Sequence, residues 1–402
     1  MSESIVIVGA GQAGASAIIA LRANQYQGKI VLVGDENHLP YERPPLSKDA
    51  ILKPDETKIE ILSQQKLDEF NVQFIRHQAV TALFPSEHRI QLENGEMLHY
   101  SKLLLATGGS VRRLPMLDAL EKHVYTLRNV EDAQALIPIF QEGKKILIVG
   151  GGVIGLELAS SARSKNCQVT VLEQGTTVMG RSSPAILSEF LLEQHRKQGV
   201  DIRLLTQISQ AELCDGQVVL TLTDGEQLTG DAVIYGIGII PNVQLAQNAG
   251  LDVDFAIKIN QFGQTSDPDI YAAGDVTIQQ QADGSYRRVE TWENANNQAA
   301  LFAAHALGLD IPSFNPAWFW TDQYNINIQF VGDMSAQQWY IRGEINHEQP
   351  NFILFGVDDG TIVAGITVNQ AKDMRHLKKM VAQKRVFELD KLLDLSVDLK
   401  KV

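Results

Sequence analysis

Twice in this chain a short apolar run ends in a glycine-rich turn and gives way to a helical pattern. No other feature limits the fold so tightly. Ile5-Val6-Ile7-Val8 suits a buried parallel strand and leads through Gly9, Ala10, Gly11, Gln12, Ala13 and Gly14 into a helix from Ala15 to Leu21. In such a turn Gly9 permits the tight bend, Gly11 lets backbone approach a pyrophosphate, and Gly14 lets helix pack on strand. The N–H groups and dipole at the helix start then favour phosphate. A second strand, Lys29 to Val33, delivers Asp35-Glu36, about 20 residues past the last glycine, where an acid meets a ribose hydroxyl. A lone G-x-G-x-x-G is weak evidence, and a plain tight turn competes with it. The whole device recurs, however. Lys145 to Val149 runs into Gly150-Gly151-Gly152-Val153-Ile154-Gly155, Leu156-Glu157-Leu158-Ala159 opens a helix, and Gln168 to Leu172 delivers Glu173. Two complete units imply two bound dinucleotides.

With 402 residues the chain can form two or three domains, each with its own core. A net charge of −13 argues against nucleic acid or an anionic membrane as the main partner. No stretch approaches the roughly 18 apolar residues of a membrane span, and Met1-Ser2-Glu3-Ser4 lacks the basic start of a signal peptide. A cytoplasmic protein is expected. Cys167 and Cys214 are the only cysteines. They form no close pair for a metal or for dithiol–disulfide exchange, so if the two nucleotides serve redox chemistry, electrons must leave by another route.

After Asp35-Glu36 comes Tyr41-Glu42-Arg43-Pro44-Pro45-Leu46-Ser47-Lys48. Its prolines exclude a regular helix through the middle, leaving a shaped loop that leads into a short helix at Ser47. Arg43 and Lys48 are either solvated charges or cofactor contacts. Together with the two glycine turns, this loop resembles the oxygenase-coupled NADH-dependent ferredoxin reductases. Ala106-Thr107-Gly108, Tyr235-Gly236-Ile237-Gly238, Ala272-Ala273-Gly274-Asp275 and Trp318-Phe319-Trp320 agree, so the resemblance covers essentially the whole chain.

The resemblance implies an α/β fold with two Rossmann-like, glutathione-reductase-type nucleotide domains and a C-terminal α+β interface domain. The FAD domain would be discontinuous, 1–110 and 241–317, around an NADH domain at 111–240, with the last domain at 318–402. FAD would be held by Gly9, Gly11, Gln12, Ala13, Gly14, Asp35, Glu36, Arg43, Lys48 and Val80. Further contacts would come from Ala106, Thr107, Gly108, Arg128, Asp275, Glu290 and Trp292. A solvated Arg128 is the bland alternative. NADH would be held by Gly150, Gly152, Val153, Ile154, Gly155, Glu157, Glu173, Gly236, Ile237 and Gly238.

Glu173 bears on the choice of nucleotide. A carboxylate accepts ribose hydroxyls and repels a 2′-phosphate. Gln174-Gly175-Thr176 follow it, and Arg181 is too distant in sequence to judge. NADH is therefore expected over NADPH. Glu157 could simply favour a helix start through the dipole, but the resemblance places it beside the nicotinamide. Lys48 would reach the same flavin–nicotinamide junction, and an ion pair between the two is expected.

Ser63 to Phe70 reads as a helix, Val72 to Phe74 as a strand, and Ala82 to Leu98 as a hairpin turning at Glu93–Glu96. Past Trp318 the pattern becomes antiparallel, with strands at Asn327–Val331, Trp339–Arg342, Asn351–Phe355 and Ile362–Val368. A basic helix over 372–385 then carries Lys372, Arg375, Lys378, Lys379, Lys384 and Arg385. Such a run is often a solvated face. In so acidic a protein it could dock an acidic [2Fe-2S] ferredoxin, with Trp320 either near the contact or simply core. The implied activity is NADH:ferredoxin reduction through FAD, feeding an aromatic-ring dioxygenase. A rubredoxin or a P450-linked ferredoxin as acceptor is the alternative, with peroxide disfavoured. So is a nucleotide-binding scaffold of the apoptosis-inducing-factor kind, which shares Arg43 to Lys48.

Overall fold

The computed structural model describes residues 4–314 and 316–401. Two compact units emerge, one from residues 4–43, 58–110 and 239–314, the other from 44–57, 111–238 and 316–401.

In the first unit five parallel strands stand in the order Ile270–Ala272, Lys102–Leu105, Ser4–Val8, Lys29–Val33 and Val72–Ile75. The apolar runs read from the sequence occupy its centre because such strands are covered on both faces. Helices Gln12–Ala23 and Trp292–Ala306 pack on one face, burying Ile18, Leu21, Ala299 and Phe302 with Ile5, Ile7 and Leu104. The opposite face buries Val6, Val8, Leu103 and Leu105 against Leu83, Ile90 and Ile257. The segment expected as one hairpin is a three-stranded sheet, Val80–Phe84, Arg89–Leu92 and Met97–His99. Its first turn carries no glycine signal, because Pro85–Glu87 forms a 3₁₀ turn closed by His88 in the left-handed region.

The second unit repeats the parallel sheet with Val200–Arg203, Gln168–Leu172, Lys145–Val149, Ala232–Tyr235 and Val124–Tyr125. It also holds an antiparallel sheet in the order Trp318–Gln323, Ile326–Gly332, Thr361–Val368, Asn351–Asp358 and Gln338–Glu344. Helix Ala185–Lys197 joins the two layers: Phe190 packs edge-on against Phe352, and Gln194 donates to the carbonyl of His347.

Two boundaries differ from the sequence reading. The basic helix spans Met374–Ala382, not 372–385. Met374, Leu377, Met380 and Val381 fix its buried stripe, and Lys384 turns left-handed (φ 46°), so Lys372, Lys384 and Arg385 lie outside it. The proline-rich loop forms a 3₁₀ turn at Pro44–Ser47, and the helix that follows begins at Asp49 with Lys48 as its N-cap, so Ser47 does not start it.

Candidate functional site

Each glycine turn shows what its glycines are for. In the first unit Gly9 has φ +111°, and a Cβ there would stand 2.2 Å from the carbonyl oxygen of Ala106. A Cβ on Gly14 would stand 2.0 Å from the carbonyl oxygen of Gly9. Gly11 is different: its φ is an ordinary −83° and a Cβ would meet nothing within 4 Å. The second unit repeats this. Gly150 (φ +109°) would meet Gly236 O at 2.5 Å and Gly155 would meet Gly150 O at 2.0 Å, while Gly152 (φ −80°) would meet nothing. Neither strain nor packing requires glycine at Gly11 or Gly152. The open space in front of them leaves room for close approach of a bound group, and the residues present fit a dinucleotide at both turns.

Some of the remaining FAD candidates of the first unit lie beside its turn. Ala13 faces the Gly274–Asp275 bend: a Cβ on Gly274 would lie 3.3 Å from that of Ala13. Gln298 Oε1 accepts from Gly274 N at 2.8 Å and fixes this bend. Gln12 donates to Asn296 Oδ1 at 2.8 Å, tying the two helices together beside it. Thr107 and Asn242 exchange side-chain-to-carbonyl hydrogen bonds of 2.9 Å, which orders the Ala106–Gly108 turn. Of the paired acids, Asp35 is exposed, whereas Glu36 accepts from Arg43 at 2.6 Å and closely from the Tyr41 hydroxyl. Val80 opens a strand, Glu290 pairs with Arg288 at 2.7 Å, and Trp292 starts the long helix after its N-cap Thr291. Arg128 and Lys48 belong to the second unit. The Arg128 backbone N–H donates to Asp132 at 2.7 Å, next to a capping box.

In the second unit Glu173 is held by two backbone donors, Gly151 N and Gly175 N, each at 2.6 Å. Val153 and Ile154 begin the helix Val153–Ser164, with Ile154 40 % exposed. Gly236, Ile237 and Gly238 follow the neighbouring strand, and the guanidinium nearest Gly238 is that of Arg181, 3.9 Å from where its Cβ would stand.

Farther along the same helix lies a buried carboxylate. Glu157 is 3 % exposed, and Lys48 Nζ stands 3.3 Å from its Oε1, the pairing the resemblance implied. Thr321 Oγ1 donates to Glu157 Oε1 at 2.7 Å, and the Ser47 hydroxyl donates closely to Oε2. Burial pushes the Glu157 pKa up; Lys48, Ser47 and Thr321 oppose the rise. Lys48 also lies 3.4 Å from Asp322 Oδ2 and 5.8 Å over the ring of Trp320. Trp320 stacks on Trp318 with centroids 5.0 Å apart, and Lys378 Nζ stands 4.1 Å over Trp318.

Ser47, Thr321 and Asp322 escaped the sequence reading. Thr321 alternates with Gln323 on the buried face of its strand, where apolar residues are the rule; the sequence alone does not show which face is buried, and Ser47 and Asp322 carry no such pattern. Cys167 is buried, with its thiol donating to Gln141 O at 3.3 Å, and Cys214 is exposed. Among the described residues no cluster suits a metal, and no helix is long and apolar enough to cross a membrane.

This chain belongs to the pyridine nucleotide-disulphide oxidoreductase family, whose profile matches residues 3–299; the reductase C-terminal profile matches residues 318–402. The family implies FAD and a pyridine nucleotide. The chain is 45 % identical over 382 residues to the 3-phenylpropionate/cinnamic acid dioxygenase ferredoxin–NAD(+) reductase component of Photorhabdus laumondii, covering 95 % of this chain and 96 % of that one. The solved putidaredoxin reductase–putidaredoxin complex matches with TM-score 0.94 and 35 % identity over 99 % of this chain and 97 % of that one. The ferredoxin reductase for the CYP199A2 system of Rhodopseudomonas palustris matches with TM-score 0.94 and 31 % identity over 99 % of both.

Proposed function

We propose that this protein is an FAD-dependent NADH:ferredoxin oxidoreductase that supplies electrons, through a [2Fe-2S] ferredoxin, to an aromatic-ring dioxygenase. The observation that carries the reading is the duplicated glycine turn with an open middle glycine, in a chain 45 % identical to a dioxygenase-linked ferredoxin reductase. The division by cofactor is 1–110 and 241–317 for FAD, 111–240 for NADH and 318–402 for the acceptor side. Gly9, Gly11, Gly14, Thr107, Asp275 and their neighbours bind FAD, with Arg43 and Arg128 as its cationic contacts.

Bound FAD supplies hydride acceptance from NADH and one-electron release to the ferredoxin. The chain's own residues orient and polarise. Glu173, anchored by Gly151 N and Gly175 N, presents its remaining lone pairs to the adenosine ribose. It selects NADH because a 2′-phosphate would meet a fixed negative charge. Lys48 and Glu157 act at the flavin–nicotinamide junction. Lys48 provides the positive charge there, and Glu157 holds its ammonium in place. Lys379 and Arg375, both exposed on the C-terminal helix, attract an acidic ferredoxin toward Trp318 and Trp320.

The purified holoenzyme should oxidise NADH in the presence of a dioxygenase-type [2Fe-2S] ferredoxin. A panel that adds a P450-linked ferredoxin and a rubredoxin tests the acceptor. The 0.94 TM-scores to the putidaredoxin and CYP199A2 reductases favour the P450-linked protein as the second reading. Faster turnover with that ferredoxin would overturn the dioxygenase assignment.

A further inference from the structure

Behind Glu157 runs a line of buried polar groups to which the proposed function gives no role. Thr321, Gln323 and His195 are 0 %, 1 % and 0 % exposed. Thr321 Oγ1 lies 2.7 Å from Glu157 Oε1, and Gln323 Nε2 lies 3.1 Å from Thr321 Oγ1. Gln323 Oε1 is 2.8 Å from His195 Nε2, and the Tyr324 hydroxyl is 2.9 Å from His195 Nδ1. The line spans two elements, strand Trp318–Gln323 with its turn and helix Ala185–Lys197.

Its polarity follows from one end. An ionised carboxylate only accepts, so Thr321 must give its single hydrogen to Glu157. Thr321 then accepts from the Gln323 amide nitrogen, which turns the Gln323 oxygen toward His195. His195 Nε2 must therefore carry the ring proton, and Nδ1 accepts from Tyr324. The lowered pKa of His195, about 4 through burial, agrees with the neutral ring this requires. Every donor in the line points toward Glu157, and aligned hydrogen bonds polarise one another. An amide in the middle makes the line a poor proton relay, so its effect is on orientation and charge.

From this geometry we infer that His195 and Gln323 are positioning residues, which fix Thr321 as a donor to Glu157 and hold that carboxylate ionised against Lys48. The inference rests on the proposed role of Glu157 at the flavin–nicotinamide junction. The charged groups on this side are Lys48 and, beyond it, Asp322; behind Gln323 the titratable groups are His195 and Tyr324, and the charge of Arg163 acts on Tyr324.

The test uses FAD-loaded protein bearing Gln323→Leu, His195→Leu, His195→Gln or Glu157→Gln. Stopped-flow flavin reduction by NADH is followed across pH, and imidazole ¹⁵N resonances report the His195 tautomer independently of turnover. Wild type should show the proton on His195 Nε2. Gln323→Leu and His195→Leu should each raise the apparent pKa of reduction by about one unit, about tenfold in proton affinity. His195→Gln, whose amide replaces the Nε2 donor, should keep the wild-type profile. If the leucine variants lose FAD, Gln323→Glu serves instead. Its carboxylate accepts from both neighbours, reverses Thr321, and should give the same upward shift. Wild-type profiles in the leucine variants, with Glu157→Gln slow, would overturn the inference and leave the role of Glu157 standing. A proton on His195 Nδ1 would overturn the polarity. Wild-type reduction in Glu157→Gln would instead overturn the proposed role of Glu157.

Discussion

Glu173 Oε2 accepts a 2.6 Å hydrogen bond from the backbone N–H of Gly151, so the acid that ends one strand is tied to the glycine turn that ends its neighbour. A second bond, from Gly175 N to Oε1, stops the carboxylate from rotating away. On the proposed role of Glu173, a 2′-phosphate would face a negative charge held in place. NADH should exceed NADPH in kcat/KM by about 1–3 kcal/mol of transition-state free energy, below the several kcal/mol of a like-charge contact because Glu173 is only half-buried. Glu173→Gln should narrow the gap, chiefly by improving NADPH. Equal kcat/KM for both nucleotides in the wild type would refute the role of Glu173.

Lys48 is the cation nearest Glu157, at 3.3 Å, and its side chain is 15 % exposed. Lys48→Ala would leave a carboxylate that is 3 % exposed without its counter-charge, a loss of about 3–5 kcal/mol for a buried pair. Part of this is relieved when Glu157 takes up a proton, which burial already favours. Flavin reduction should therefore slow more than NADH binding weakens, with kcat falling and KM changing little. Rapid-mixing reduction at the wild-type rate would return Lys48 to an ordinary loop cation.

The parts of this protein built from local rules were legible in the sequence. Gly9, Gly14, Gly150 and Gly155 sit where backbone crowds backbone, and the strands around them form continuous apolar runs. Ser63 caps its helix through Lys66 N as its residue type suggests. What stayed hidden depends on partners far apart in sequence. Thr321 and Ser47 look like ordinary polar residues until folding sets both against Glu157. His195 sits in an amphipathic helix, and nothing in its neighbours announces Gln323 as its partner. The end of the basic helix is not legible from charge, which continues past Ala382 while the buried stripe does not.

Lys378 and Lys379 are adjacent but differently placed. Lys378 lies 4.1 Å over the Trp318 ring, whereas Lys379 is exposed. Lys379→Glu should weaken ferredoxin reduction mainly at low salt and flatten its salt dependence, because an exposed charge acts through long-range attraction. Lys378→Glu should do this and also remove a cation–π contact of about 0.5–2 kcal/mol that holds the Trp318–Trp320 stack. NADH-driven reduction of ferricyanide should be spared in both. If ferricyanide reduction falls as far as ferredoxin reduction, the helix is structural and carries no docking role.

His195 should also make stability depend on pH. Its ring is fully buried, and its pKa falls from 6.5 to about 4 because burial disfavours the charged form, with the Gln323 hydrogen bond opposing. Between these values the unfolded chain binds the proton and the folded chain does not, so stability is full above about pH 6.5 and is lost as pH falls toward 4. The whole shift corresponds to about 3 kcal/mol. Glu157 has the opposite sign: its raised pKa means the folded state takes up a proton first, which adds stability as pH falls. Comparing wild type with His195→Gln separates the two, since the variant keeps a donor to Gln323 and leaves Glu157 in the same surroundings. Urea unfolding at about pH 7.5 and about pH 4.5 should show the wild type losing more stability than His195→Gln, by about 2–3 kcal/mol. Equal losses would mean that His195 takes a proton in the fold without cost, and the neutral ring would have to be abandoned.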